Sequence, residues 1–454
     1  MPFNANLLLR RLLDLQGEVT ARRYVVGFSG GLDSTVLAHA LRQAPGPGAP
    51  IVAVHVNHAM QPDAEAFEEH CRRVAEALEV EFIARTVEVV DDQGIGLEAA
   101  GREARYTALR ALMQEGDVLL SAHHEDDQAE TLLLNLMRGS GMAGLAGIGA
   151  RQPFGPGLLI RPMLNVSRQD IERYAKQFDL QWIDDPSNLD LRFDRNYLRQ
   201  EILPRLRQRW PAVAARLGHS AELAAEAARL QDELAWLDLR ELVETADDNA
   251  AALPDRLGIP GLTKLSPARQ RNVLRSAIKA CGLPQAPSSR LRQIQDELLT
   301  AREDGRPLVR WPGAEVRRYR TRLYLRKSPQ PGIAADVAAP LVLFGDGQEV
   351  GLGPLGALRL ELGTGPGIDP ELVARGLTLR FRSGGERIKP YGRKGTRPLK
   401  KLLQERAVVP WMRESLPLLY ADDTLVAVAD LWIAADCARD DGFQVRWRSK
   451  PSIS

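Results

Sequence analysis

Tyr24-Val25-Val26-Gly27-Phe28-Ser29-Gly30-Gly31-Leu32-Asp33-Ser34-Thr35 decides the fold. Tyr24–Phe28 is a short apolar run before a glycine turn, the mark of a buried strand. Two adjacent glycines let the backbone turn sharply and approach a ligand closely. A helical pattern takes over near Ser34. The free N–H groups and dipole of a helix start make a ready anion site, and Ser29, Ser34 and Thr35 add hydroxyl donors. The Gly-Lys-Ser/Thr ending of a Walker A loop is missing. Two glycines alone would equally suit a plain strand–turn–helix corner with a capping serine. The full string after a strand favours phosphate.

Outward from this loop, strand and helix signals alternate through the first two hundred residues. Ile51–Val56 and Asp117–Ala122 are further apolar runs, and Glu81–Val89 alternates loosely. Helical patterns fall at Thr35–Arg42, Asp63–Leu78, Leu97–Gln114 and Gln128–Arg138. That order predicts an α/β fold with a parallel sheet covered on both faces, ligands lying beyond the carboxyl ends of its strands. Gln200–Pro211 reads as a hinge. After it, residues 212–245 are rich in Ala, Leu and Glu at helical spacing, and helices resume at Pro267–Cys281 and Ser289–Ala301. Val316–Arg326 alternates as strands do. Lys327–Pro340, rich in Pro and Ala, reads as a linker. Short β-like runs then recur at Leu341–Phe344, Leu377–Phe381 and Thr424–Ala429. The expected organisation is an α/β domain over 1–211, a mainly helical domain over 212–326 and a small α+β domain over 341–454.

Composition excludes more than it identifies. The 454 residues are 44% hydrophobic and 26% charged with a net charge of +1, an ordinary soluble balance. Cys71, Cys281 and Cys437 are scattered, with no C-x-x-C pair, which argues against a disulfide framework, a zinc site or a cluster and suits a reduced cytoplasm. Arg10 and Arg11 break the N-terminal apolar stretch, so it does not read as a signal peptide. Leu425–Ala435 contains Asp430 and is too short to span a bilayer. No membrane association is expected, and a homodimer stays open.

A second charged constellation follows the third apolar strand: His123-His124-Glu125-Asp126-Asp127-Gln128-Ala129-Glu130. Asp127 and Glu130 are three apart and share one helix face. Clustered carboxylates suit a metal or an ammonium group, although acids in a first turn also simply stabilise the dipole. Beside a phosphate loop of the same sheet, the functional reading is the stronger. His123 reads as structural or nucleotide-lining. Arg102 and Arg105 share another helix face, there to meet phosphate or to stay solvated.

The loop Ser29–Thr35 resembles the PP-loop of the N-type ATP pyrophosphatases, which cleave ATP between its α and β phosphates and transfer AMP to a substrate oxygen. Further stretches resemble the tRNA(Ile)-lysidine synthetases over most of the chain. They are Val54-His55-Val56-Asn57-His58, Glu98 with Arg102–Tyr106, His123–Glu130 with Arg138–Gly141, Trp182–Asn188 leading to Asp194-Arg195-Asn196-Tyr197-Leu198-Arg199, and Gly384–Trp411. Ala59-Met60 and Val408-Val409-Pro410-Trp411 depart from the family's usual pattern. The resemblance implies a two-step reaction. The C2 oxygen of the anticodon cytidine attacks the α-phosphate of ATP, and the lysine ε-amine then attacks C2 and expels AMP. The tRNA is an isoleucine tRNA with a CAU anticodon. By the same resemblance Ser29, Gly30, Gly31, Leu32, Asp33 and Ser34 bind ATP, and Asp33 sits by the phosphates, where Mg²⁺ explains it best. Asp127 and Glu130 receive L-lysine. Arg102, Arg105, Arg195 and Arg199 contact substrate.

The far end of the chain carries its own charge. Arg380, Arg382, Arg387, Lys389, Arg393, Lys394, Arg397, Lys400, Lys401 and Arg406 face only Glu386 and Glu405, a local excess of eight positive charges. Such a run is usually a solvated face, but it also suits a phosphate backbone. With the resemblance, Arg393, Lys394, Lys400 and Lys401 are expected to bind tRNA. A tRNA thiolase on the same fold would need a reactive cysteine or a cysteine-bound cluster. An amide-forming ligase would carry or recruit a glutaminase. A non-catalytic RNA-binding protein would not need the intact loop and acids.

Overall fold

The computed structural model describes residues 2–46, 48–58, 64–89, 97–242, 254–302, 305, 307–328, 341–343 and 345–450. Ala59, Met60 and most of the Lys327–Pro340 stretch lie outside them, as does the side chain of Glu98. Two compact units divide the chain, Met1–Leu234 and Ala235–Ser454.

The first unit begins with α1 (Ala5–Gln16), capped by Asn4, whose Oδ1 accepts from Leu7 N at 2.9 Å. Then follow β1 (Arg23–Gly27), α2 (Leu32–Gln43), β2 (Ile51–Asn57), α3 (Ala64–Ala77), β3 (Glu81–Thr86), α4 (Leu97–Leu112), β4 (Asp117–Leu120) and α5 (Glu125–Met137). A short α6 (Met142–Leu145) leads to the hairpin of β5 (Arg151–Phe154) and β6 (Gly157–Ile160), then to α7 (Arg168–Gln177). The sheet order is β3-β2-β1-β4-β6-β5, parallel throughout except for the β5–β6 hairpin. Side-chain alternation explains the burial on both faces. Tyr24, Val26 and Ala53 point to the side packed with Leu8, Leu12, Leu37, Leu41 and Tyr174. Val25, Val52 and Val54 point to the side packed with Leu109, Met113 and Phe154.

The stretch read as a hinge, Gln200–Pro211, is mostly helical. Asp194–Tyr197 (α8) passes through a π-helical turn at Leu198–Ile202 into α9 (Leu203–Arg209). Pro204 explains the wide turn: its ring lacks an N–H and crowds the carbonyl four residues back. The long helix α10 (Val213–Leu242) follows.

In the second unit, the helices Pro267–Ala280 and Ser288–Gln293 pack on an antiparallel four-stranded sheet. Its strands are Arg256–Gly258, Leu308–Trp311, Ala314–Tyr319 and Arg322–Lys327. Beyond residue 341 two five-stranded sheets and a two-stranded ribbon enclose one core. That core also buries Tyr324 from the preceding sheet, and Trp411 lies edge-on to Tyr324 at 5.2 Å between ring centroids.

Candidate active site

The loop after β1 is built around Gly30, whose φ of +77° is a left-handed conformation that glycine adopts without strain. A Cβ there would come within 2.7 Å of the Cys71 Sγ, so any side chain would push the loop off α3. Gly30 O accepts from Ile183 N at 3.0 Å, which ties the loop to the Trp182–Asn188 segment. The Ser34 hydroxyl donates to Gly31 O at 3.0 Å and accepts from Ser29 N at 3.2 Å, bracing the turn from within. Gly31 is the N-cap of α2 and supplies no side-chain oxygen. The first N–H groups of α2 therefore face the sheet's ligand edge, the arrangement that suits an anion.

Asp33, in the first turn of α2, is 31% exposed and accepts from Arg168 Nη1 at 2.7 Å. His124 joins it to the second constellation. The His124 ring caps α5: Nδ1 accepts from Asp126 N at 3.2 Å, while Asp127 Oδ2 accepts from His124 N at 2.9 Å. This leaves Nε2 to carry the proton, 3.6 Å from both Asp33 Oδ2 and Asp127 Oδ2. Burial by itself disfavours a charged ring, but Asp127, Asp33 and Asp126 outweigh it and raise the His124 pKa. Its neighbour behaves oppositely. His123 is pushed down to about 3, first by burial and then by Arg161, Arg195 and Arg102, against a pull from Asp127. A neutral His123 shares a 2.7 Å hydrogen bond between Nδ1 and the Ser121 hydroxyl.

Asp127 and Glu130 do lie on one face of α5, and that face is met by arginines. Arg195 donates through Nε to Glu130 Oε2 at 2.8 Å and through Nη2 to Asp127 Oδ1 at 2.9 Å. Arg199 donates through Nε to Glu130 Oε1 at 2.7 Å and through Nη2 to Asp127 Oδ1 at 3.0 Å. Burial opposes the charge on Asp127, yet His124, Arg195 and Arg199 hold its carboxyl well below the usual carboxylate range. Asp127 is thus kept ionised inside the protein, and the arginines that hold it also clasp Glu130.

Sequence reasoning named the loop, Asp33, Asp127, Glu130, Arg195 and Arg199, and the structure gathers all of them at the strand ends. It missed Arg168 and the bridging role of His124. Nothing local marks Arg168, which reaches Asp33 across 135 positions of chain. Arg102 and Arg105 are exposed on α4, with the Arg102 guanidinium 5.1 Å from the Tyr106 ring centroid. Arg393, Lys394, Lys400 and Lys401 are exposed in the second unit. Among the described residues, no group of three or more His, Cys, Asp or Glu is arranged to hold a metal.

A glycine turn after the central strand of a parallel sheet, with acids converging on it, defines an ATP-using PP-loop domain, and residues 5–206 match the PP-loop domain family. Residues 257–324 match the TilS substrate binding domain and residues 377–447 the TilS substrate C-terminal domain. The tRNA(Ile)-lysidine synthase of Coxiella burnetii is 39% identical over 93% of this chain and 90% of its own. Those of Alkalilimnicola ehrlichii and Methylococcus capsulatus are 41% identical over 94% of the chain and 42% identical over 91%, and each is covered over 93% of its length. The chain belongs to the tRNA(Ile)-lysidine synthase family. Among solved structures, a U34-tRNA thiolase from Methanococcus maripaludis aligns with a TM-score of 0.41 and 18% identity, over 48% of this chain and 78% of that one.

Proposed function

We propose that this enzyme adenylates the wobble cytidine of an isoleucine tRNA with a CAU anticodon and then replaces AMP by lysine. The observation that carries the reading is the convergence of the α2 and α5 N-termini through His124, which sets a phosphate loop beside the arginine-clasped acids Asp127 and Glu130. The loop N–H groups take the phosphates of ATP, and the C2 oxygen of cytidine attacks the α-phosphate, releasing pyrophosphate. Stabilising spread phosphate charge is an electrostatic task, done by positioned donors and cations. Lysine then brings its ammonium to Asp127 and Glu130. It takes over part of the charge pairing that Arg195 and Arg199 supply, and a carboxylate accepts its proton as the amine attacks C2. AMP leaves with the C2 oxygen.

Asp33 fits Mg²⁺: it is part-exposed beside the loop, with a hard oxygen donor, and such sites need only one or two carboxylates besides phosphate. Bound there, the ion would neutralise triphosphate charge. Residues 1–211 would do the chemistry, with 212–326 and 341–454 holding the tRNA. Work on ATP and tRNA belongs in the cytoplasm, and no helix among the described residues is long and apolar enough to cross a membrane. A homodimer belongs to the same reading, to be tested by light scattering.

A thiolase would need a thiolate, whereas burial pushes the Cys71 thiol up to about 12 and the Cys281 thiol up to about 11. The decisive experiment is incubation with ATP, labelled lysine and total tRNA, followed by nucleoside analysis. A lysine-bearing cytidine with equimolar AMP is expected. ATP cleavage without labelled nucleoside would refute the second step.

A further inference from the structure

Between Arg387 and Arg406 the chain places eight cations and a single acid, Glu405. Each oxygen of that acid faces one arginine: Oε2 accepts from Arg393 Nη1 and Oε1 from Arg397 Nη1, both at 3.2 Å. The pairs are about half exposed, 48% for each arginine and 49% for Glu405. Exposed pairs of this kind stabilise a fold very little. Glu405 also ends the helix Leu399–Glu405, where the dipole favours a cation rather than an acid. The segment does not need it as an anchor, because Ile388, Leu399, Leu402 and Leu403 are buried in the domain core. An acid that stabilises little, placed against two cations of the most basic stretch in the chain, calls for another role.

We propose that Glu405 is an intramolecular competitor for RNA phosphate. It occupies Arg393 and Arg397, sets a ceiling on the affinity of the basic stretch, and so keeps bulk tRNA from sequestering the enzyme. The proposal rests on the reading that this stretch contacts tRNA. Nucleic-acid affinity of this type comes from phosphate contacts that release counterions, is insensitive to sequence, and reports its contact number in the salt slope. A built-in carboxylate lowers that number without touching the catalytic unit.

The test is equilibrium binding of total tRNA to the full chain across a salt series. Glu405→Gln should bind more tightly at low salt, with a slope steeper by about 0.9 for each arginine released to phosphate. Adding Arg393→Ala and Arg397→Ala to that variant should return the slope to the parental value or below. Binding of an ATP analogue should not change in any of them, which checks that the fold is intact. An unchanged slope, or weaker binding, in Glu405→Gln would overturn the proposal if Lys394→Ala/Lys400→Ala still flattens the slope; Glu405 would then be a strut for the loop. If Lys394→Ala/Lys400→Ala also leaves the slope unchanged, the basic stretch is not an RNA surface and both readings fall.

Discussion

Arg199 meets Glu130 edge to edge, Nε to Oε1 at 2.7 Å and Nη2 to Oε2 at 2.9 Å, around a carboxylate that is fully buried. Breaking a buried ion pair by removing one partner leaves the other charge uncompensated and costs about 3–5 kcal/mol. Because Arg199 is 40% exposed, the lower end applies. Glu130→Gln should therefore lose roughly 3 kcal/mol in chemical denaturation. Under conditions where the variant stays folded, it should raise the KM for lysine more than it slows pyrophosphate release, and Asp127→Asn should do the same. If lysine affinity holds while pyrophosphate release collapses, these acids serve the adenylation step instead.

Asp33 is the only carboxylate in the first turn of α2, and it faces both Arg168 and His124. Asp33→Asn keeps the shape and removes the charge. AMP formation should fall to background while tRNA affinity is kept, since the basic stretch expected to hold tRNA lies in the other unit. Normal turnover in this variant would remove Asp33 from the mechanism.

How far the chain could be read without coordinates differs by region. β1 and its loop were legible because burial on both faces writes an unbroken apolar run and the turn needs Gly30. The shared face of Asp127 and Glu130 was legible too, as a spacing of three on a helix, and Arg195 and Arg199 were named through the family resemblance. Their meeting was not, because it depends on where α8 docks against α5. The strand Arg256–Gly258 is three residues long and leaves no periodic trace. The ribbon strands Arg387–Ile388 and Arg397–Pro398 are shorter still. A separate C-terminal core was expected after the linker, yet Tyr324 from before it is buried there, a packing that no local pattern announces.

Asp117 links β4 to β1 at the opposite end of the sheet. Burial works against its charge, but hydrogen bonds from Arg23 and Gln114 N, with the charges of Arg23 and Arg22, lower its pKa. A depressed carboxylate contributes stability that is present above the unfolded value, near 3.9, and lost as pH falls through the folded value. Asp117→Asn should thus be less stable than the parent at neutral pH, and the gap in Tm should narrow as pH drops below about 4. A gap that stays constant into acid would mean that shape, not charge, holds this corner.

The basic stretch of the second unit sets the last expectation. Arg393, Lys394, Lys400 and Lys401 are exposed, and the loop that carries two of them turns on Gly392 and Gly395 at φ of +76° and +82°. Deleting everything beyond residue 328 would be the simplest test of their role. The structure argues against it, because Tyr324 and the Arg317 and Arg326 guanidiniums, 5.4 and 5.5 Å from the Trp411 ring centroid, would be left without their partner. Truncation would then damage the preceding sheet as well. Replacing the four cations by alanine leaves the buried anchors Leu399, Leu402 and Leu403 in place. Affinity for tRNA should fall, and the salt slope should flatten by about 0.9 for each phosphate that is no longer neutralised. Binding of an ATP analogue should be unaltered, since the phosphate loop lies in the other unit. The measurement is tRNA affinity at several salt concentrations for parent and variant. A parental slope in the variant would mean that these charges face only solvent, and the footprint would have to be sought around Arg317–Arg326, where guanidiniums already stack on an aromatic ring.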